Sequence, residues 1–312
     1  MDIRCYRGLS RLPDSLRRCA VTIGNFDGVH LGHRRILKVC REKAGPNGKV
    51  LAITFDPSPE SVLRGGIDLP RIDPVDARCR LLLAAGADAV AIVAASETLL
   101  GMTPDEFIQN LLTRKVDPAW VVEGTNFCYG VGRSGNTATL QAAGRTYGFG
   151  VQIVPPVQVE LDGQPQRVSS TLVRRLVSLG QVEQAAKYLT RPFALYGRVI
   201  HGAGQGRSLG WPTANIDPGA QILPQDGVYA GFALLGERKL AAAISIGSRP
   251  SLHGQGMTVE AHLLDTNEDL YDQPMQLDFV RHLREQKTYE DLEDLKHQIA
   301  RDIESVRRIC RT

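Results

Sequence analysis

Apolar runs of three to six residues recur through the first half of the chain. They are Val50-Leu51-Ala52-Ile53-Thr54-Phe55, Ala89 to Val93, Trp120-Val121-Val122 and Val151 to Val154, with the pair Ala20-Val21 ahead of them. Between them the spacing changes to that of helices. Ala77 to Ala85 reads as one. Another opens at Thr103-Pro104-Asp105-Glu106, with Thr103 as N-cap, Pro104 at the first helical position and Glu106 closing a capping box, and Phe107, Leu111 and Leu112 form its apolar face. Continuous apolar strands alternating with helices predict a parallel sheet covered on both faces, with its ligand at the carboxyl ends of the strands. From about Phe193 the pattern shortens to segments such as YGRVIHG, GVYAGFALLG, KLAAAISIGS, TVEAHLLD and MQLDFV, joined by Gly- and Pro-containing turns. These predict an antiparallel sheet or small barrel. The tail from Thr288 is helical, with Leu292, Leu295, Ile299, Ile303 and Val306 in one stripe. The helical stretch 171–191 is the junction, so two domains are expected, residues 1–185 and 186–312.

Composition narrows the function classes. Apolar residues make up 43% of the 312 and charged residues 23%, the values of an ordinary globular protein. A net charge of +3 without a concentrated basic stripe argues against a nucleic-acid partner. No apolar run is long enough to span a bilayer, and the opening Met1-Asp2-Ile3-Arg4 lacks the apolar core of a signal peptide, so no membrane partner is expected. The six cysteines, at 5, 19, 40, 79, 128 and 310, include no Cys-x-x-Cys pair; they predict reduced thiols in a cytoplasmic protein and no zinc site.

Two stretches carry chemistry. The first, TIGNFDGVHLGH (Thr22 to His33), follows the first strand and opens a helix with Ile36, Leu37 and Cys40 on its inner face. Gly24, Asn25, Phe26, Asp27 and Gly28 form a turn that lets backbone N–H groups approach a phosphate at a helix start. His30 and His33 lie one turn apart and point the same way, as donors toward a phosphorus undergoing in-line displacement. The second stretch, GAGQGRSLGWPTANI (Gly202 to Ile216), has neither dinucleotide-fingerprint spacing nor a Walker motif. It reads as a glycine loop over a nucleotide, with Gly206, Arg207 and Gly210, followed by a Pro-Thr-Ala-Asn corner. In that corner Thr213 and Asn215 offer neutral oxygens to Mg²⁺. In TVEAHLLD, Glu260 and His262 share a strand face, and an acid in an apolar strand is a candidate proton acceptor. Val-Ser-Ser-Thr-Leu-Val-Arg (Val168 to Arg174) read alone is a capped helix, whose N–H groups, Ser170, Thr171 and Arg174 could hold phosphates.

Gly28-Val-His-Leu-Gly-His33 resembles the His-x-Gly-His signature of nucleotidyltransferases, and GNFDGVHLGH is similar to that of bacterial bifunctional riboflavin kinase/FAD synthetases. TFDPSP (Thr54 to Pro59), GTNFCYG (Gly124 to Gly130) and VSSTLVR follow in the family's order, and GRSLGWPTAN resembles its riboflavin-kinase signature. The resemblance implies a Rossmann-like nucleotidyltransferase domain and a riboflavin kinase-like β-barrel with a terminal helix. It implies phosphorylation of riboflavin to FMN, then adenylylation of FMN to FAD with release of pyrophosphate, with ATP as co-substrate of both steps and Mg²⁺ as cofactor. By resemblance His30, His33 and Glu260 are catalytic, Glu260 as the kinase base; Asn126 and Phe127 contact flavin; Arg284 helps to close the flavin site, with a surface ion pair as its alternative use; Thr213 and Asn215 hold the metal. Ser58, Ser245, Ser251, Thr266 and Asp272 depart from the family pattern. A nucleotidyltransferase with another acceptor and a flavin-binding regulatory protein that has lost one activity are the alternatives.

Overall fold

The computed structural model describes residues 2–67, 70–161, 163–202, 210–251, 254–266 and 268–311. In chain order the first half holds β1 (Cys5–Arg7), β2 (Ala20–Ile23), α1 (Leu31–Ala44), β3 (Val50–Phe55), α2 (Pro59–Leu63), α3 (Val75–Ala84), β4 (Ala89–Val93), α4 (Glu97–Leu100) and α5 (Pro104–Glu106), the last running on to Val116. There follow β5 (Trp120–Gly124), the short strands β6 (Cys128–Tyr129) and β7 (Gly135–Asn136), α6 (Thr137–Tyr147), β8 (Gly150–Val154) and the hairpin β9 (Gln158–Leu161) and β10 (Gln164–Arg167). Strands β1-β4-β3-β2-β5-β8 form one sheet in that order, every pair parallel.

Alternation along these strands explains why they read as unbroken apolar runs. Ala20, Val50, Ala52, Val90 and Val122 face one core with Leu37, Cys40 and Leu82 of α1 and α3. Val21, Leu51, Ile53, Ala91 and Val121 face another with Phe107, Ile108, Leu111, Leu112 and Leu140. Each side chain burial of this size contributes about 1.5–3 kcal/mol, and only a sheet covered on both faces asks it of consecutive residues.

The capping box is present: the Thr103 N–H donates to Glu106 Oε2 (2.8 Å) and the Glu106 N–H to Thr103 Oγ1 (3.3 Å). Beyond it the helix widens to π geometry over Phe107–Val116 and ends at Asp117, whose N–H donates to the Leu112 carbonyl five residues back. The apolar spacing 107, 111, 112 suits both geometries, so the sequence does not distinguish them.

By its contacts the chain divides into two compact units, Met1–Leu69 with Pro74–Ser169, and Pro70–Asp73 with Ser170–Thr312. The second begins with α7 (Ser170–Ser178) and α8 (Val182–Leu189), against the expected boundary at 185/186. Strands β11 (Phe193–Ile200), β12 (Ala214–Asp217), β13 (Gly227–Leu235), β14 (Arg238–Ser251), β15 (Gly254–Leu263) and β16 (Pro274–Arg284) close an antiparallel barrel in the order β11-β12-β15-β14-β13-β16, and α9 (Leu292–Ile309) follows. Phe193, Tyr229 and Phe279 pack inside it, the Tyr229 and Phe279 rings edge to face at 5.3 Å. The stripe on α9 is only half used. Val306 is fully buried, with Ile303 beside it, against Ala230 and Leu264, whereas Leu292 is 54% exposed.

The segment Pro70–Asp73 is held within the second unit by side chains distant in sequence. Arg191 Nη2 donates to both carboxylate oxygens of Asp73 (2.6 and 2.7 Å), and Gln221 Nε2 donates to the Ile72 carbonyl (3.1 Å).

Candidate functional sites

In the first unit the chemistry starts where β2 ends. Phe26, Gly28 and Val29 take positive φ values of 50°, 88° and 39°, which fold the chain back before α1. Phe26 is buried against the sheet and meets His33 edge to face at 5.2 Å. His30 caps α1: its Nδ1 accepts the His33 N–H, a long bond of 3.4 Å. An accepting Nδ1 carries no proton, so the neutral ring carries it on Nε2, as a donor. The two imidazoles stack with centroids 3.6 Å apart and planes 17° from parallel. Gly32 makes this possible, since a Cβ there would lie 3.1 Å from His30 Cε1. His33 Nδ1 is sealed from solvent and has no hydrogen-bond partner among the described residues. Burial above all, and after it the neighbouring His30 and Arg78, holds the His33 imidazole well below the usual histidine range, so it is neutral at pH 7.

Two residues not singled out in the sequence shape this turn. Arg78 of α3 is 3% exposed; its Nη1 donates to the Asn25 carbonyl (3.0 Å), to Thr54 Oγ1 (3.1 Å) and to the Phe55 carbonyl (3.2 Å). Thr54 Oγ1 also donates to Asn25 O (3.0 Å). The phosphate loop therefore hangs from the end of β3 through a buried guanidinium. In the sequence Arg78 is one charge among several on an amphipathic helix, and only the fold shows that it points inward. Ser58, in TFDPSP, caps α2 by accepting the Ser61 N–H (3.2 Å).

The remaining expected residues of this site are placed as follows. Asp27 is buried. Asn126 is exposed in the turn after β5, and Phe127 stacks on Tyr129 at 5.6 Å. Ser170, Thr171 and Arg174 stand on the first two turns of α7, which belongs to the second compact unit.

In the second unit the Pro-Thr-Ala-Asn corner leads into β12. Asn215 pairs in register with Ile200 on one side and with Glu260 on the other. Thr213 Oγ1 donates to Glu260 Oε2 (3.2 Å). Thr213, Asn215 and Glu260, from two strands, thus converge at one edge of the barrel. His262 holds the corner through Nδ1, 2.8 Å from the Pro212 carbonyl. Gly202 is required here, because a Cβ would lie 2.1 Å from Asn215 Nδ2. Gly210 has φ 89°, and Gly206 and Arg207 lie outside the described residues. Beside the corner is a cavity of about 320 Å³ with a mixed wall, apolar at Val199, Leu263 and Leu270 and polar at Thr213, Glu268 and Asp269; the His201 and Tyr271 rings stack at 3.9 Å nearby.

Arg284 is engaged elsewhere. Its Nε and Nη2 donate to the carboxylate of Asp302 on α9 at 2.8–3.1 Å, both residues mostly buried. The pair ties the terminal helix to β16, an ion pair of the kind weighed for Arg284 beside flavin contact. Ser245, a departure from the family pattern, accepts from Gln286 Nε2 (2.8 Å).

The donor set around Thr213 suits a hard cation shared with phosphates, since oxygens are the ligands such ions take. Among the described residues there is no cluster of three or more His, Cys, Asp or Glu that could hold a metal by itself. Also among them, no helix is long and apolar enough to cross a membrane.

A parallel sheet with stacked histidines at a helix start, and a barrel with Thr, Asn and Glu at one edge, define a two-module nucleotidyl- and phosphotransferase. The sequence matches the FAD synthetase family over residues 12–172 and the riboflavin kinase family over residues 189–310. It is 36% identical over 302 residues to the bifunctional riboflavin kinase/FMN adenylyltransferase of Escherichia coli K12, covering 96% of this chain and 95% of that one. Its identity to the Haemophilus influenzae enzyme of that name is 33% (98% of each chain covered) and to the Pseudomonas fluorescens one 36% (99% and 98%). Among solved structures it superposes on one described as a macrolide-efflux protein from Streptococcus pneumoniae, with a TM-score of 0.86 and 25% identity over 98% and 99% of the two chains. The chain belongs to the bifunctional riboflavin kinase/FMN adenylyltransferase family.

Proposed function

We propose that the chain makes FAD in two steps, one on each unit. The barrel transfers the γ-phosphoryl group of ATP to the ribityl 5′-hydroxyl of riboflavin, and the parallel-sheet unit transfers AMP from a second ATP to the resulting FMN. The observation that carries this reading is the Thr213–Glu260 contact at 3.2 Å, with Asn215 in register beside it, in the same chain as the stacked His30–His33 pair.

In the kinase step Glu260 accepts the hydroxyl proton as the new O–P bond forms and the bond to ADP breaks. Thr213 orients that carboxylate through its hydroxyl and, with Asn215, presents oxygens to Mg²⁺, which neutralises phosphate charge when bound. In the adenylyl step the FMN phosphate needs no base, being already ionised. An oxygen of it bonds to the α-phosphorus as the bond to pyrophosphate breaks. His30, with its proton on Nε2, and His33 donate to the α-phosphate oxygens, whose charge grows in the transition state. The phosphate loop at the start of α1, tethered by Arg78, fixes where that phosphate lies.

Purified protein with riboflavin, ATP and Mg²⁺, its flavins resolved by chromatography, tests the reading. FMN followed by FAD is the expected result. Absence of both overturns it. FMN without FAD overturns the assignment of the first unit. A different acceptor for the adenylyl step would show as FMN left unconverted when it is supplied directly.

A further inference from the structure

Glu123, the fourth residue of β5, is 3% exposed, and neither the family motifs nor the steps above use it. Its neighbourhood is unusual for a parallel sheet. Strand β2 pairs with β3 as far as Ile23, but with β5 only at Ala20 and Val21. Beyond Val21 the two strands part. The Ile23 N–H, which a neighbouring strand would normally satisfy, donates instead to Glu123 Oε1 at 2.7 Å. A side chain replaces a main-chain partner where the ladder stops.

The place matters. With β3, β4 and β1 on one side of β2 and β5 and β8 on the other, the sheet order reverses at β2–β5. Open parallel sheets bind ligands at the carboxyl ends of the strands that flank such a reversal. The residue after Ile23 is Gly24, the first of the phosphate loop. The residue after Glu123 is Gly124, which opens the turn carrying Asn126 and Phe127. One hydrogen bond therefore spans the base of the crevice and joins the roots of both loops.

We propose that Glu123 is a positioning residue of the adenylyl-transfer site, a side-chain clamp that sets the spacing between the phosphate loop of Gly24–Gly28 and the Gly124–Phe127 turn. This rests on reading the first unit as the FMN-adenylylating one. The surroundings favour the uncharged form of the carboxyl. Burial pushes it well above the usual glutamate range, and the Ile23 N–H and the nearby Thr22 hydroxyl only partly oppose that. A charge at this position would oppose the triphosphate arriving above it, and a protonated carboxyl has none.

Initial rates of FAD formation from supplied FMN and ATP, with FMN formation from riboflavin measured on the same samples, test the clamp. Glu123→Gln keeps an acceptor oxygen at the same reach, and its KM for ATP should stay within about twofold of wild type. Glu123→Leu leaves the Ile23 N–H without an acceptor, and its KM for ATP in the adenylyl step should rise about tenfold or more, with the kinase rate unchanged. A Leu variant with wild-type KM, or equal losses in the Gln and Leu variants, overturns the proposal. If the Leu variant does not accumulate folded, Glu123→Asp decides. Shortened by one methylene, it should lose affinity where Gln does not, and equality of the two overturns the clamp. Wild type that forms no FAD would instead overturn the reading of the first unit.

Discussion

His30 and His33 stack face to face, 3.6 Å between centroids, with Gly32 between them where a Cβ would crowd the His30 ring at 3.1 Å. The stack turns two side chains into one donor surface at a helix N-terminus. Replacing both histidines by alanine should lower FAD formation on the order of 10²-fold or more while FMN formation stays within about twofold. Chromatography of flavins from one reaction reads both, and equal losses would contradict the two-site assignment.

Gly32→Ala probes the stack without removing either ring. Its Cβ would lie 3.1 Å from His30 Cε1 and 3.2 Å from Nδ1, so the imidazole must move. Alanine is also the better helix former by about 0.5–1 kcal/mol. The variant is expected to keep or gain thermal stability and to lose most FAD formation. Wild-type FAD formation would show that the stacked geometry is not needed.

The pH dependence of stability follows from His33. Its folded pKa lies well below 6.5, so the folded state binds fewer protons than the unfolded state. Stability is then lost as pH falls from about 6.5 toward the folded value. Urea midpoints measured from about pH 8 to 5 should fall more for wild type than for His33→Gln. Parallel curves would mean that His33 takes up its proton without hindrance.

For the barrel, Glu260→Gln keeps the shape and hydrogen-bonding reach of the side chain but cannot accept a proton. FMN formation should drop on the order of 10²- to 10⁴-fold, the range of general-base catalysis. Conversion of supplied FMN to FAD should be unchanged. A loss in both steps would place Glu260 outside the kinase chemistry.

Asp73 is fully buried and paired with Arg191, itself 16% exposed. Removing one member of such a pair leaves the other charge buried, at a cost of about 3–5 kcal/mol. Asp73→Ala should therefore lower the thermal midpoint of the barrel unit by several degrees, visible in calorimetry. Asp73→Ala combined with Arg191→Met should recover part of that loss.

The chain's own pattern determined more of this protein than is usual. Buried parallel strands demand consecutive apolar residues, so β3, β4 and β5 announce themselves. The barrel strands are short and set between Gly- and Pro-containing turns, so they do too. That His30 and His33 lie side by side at a helix start was legible from their three-residue spacing. Local spacing could not reveal what distant residues share. Arg78 looks like a solvated charge until α3 turns it under Asn25, some 50 residues earlier in the chain. Glu123 looks like a misplaced acid in an apolar strand until the parting of β2 and β5 leaves it the Ile23 N–H. Arg284 had its flavin role by resemblance alone, and the packing of α9 gave it Asp302. The apolar stripe of α9 shows which face packs but not how deeply, since nothing in a helix's own periodicity says how much partner surface lies opposite: Val306 is fully buried and Leu292 is 54% exposed.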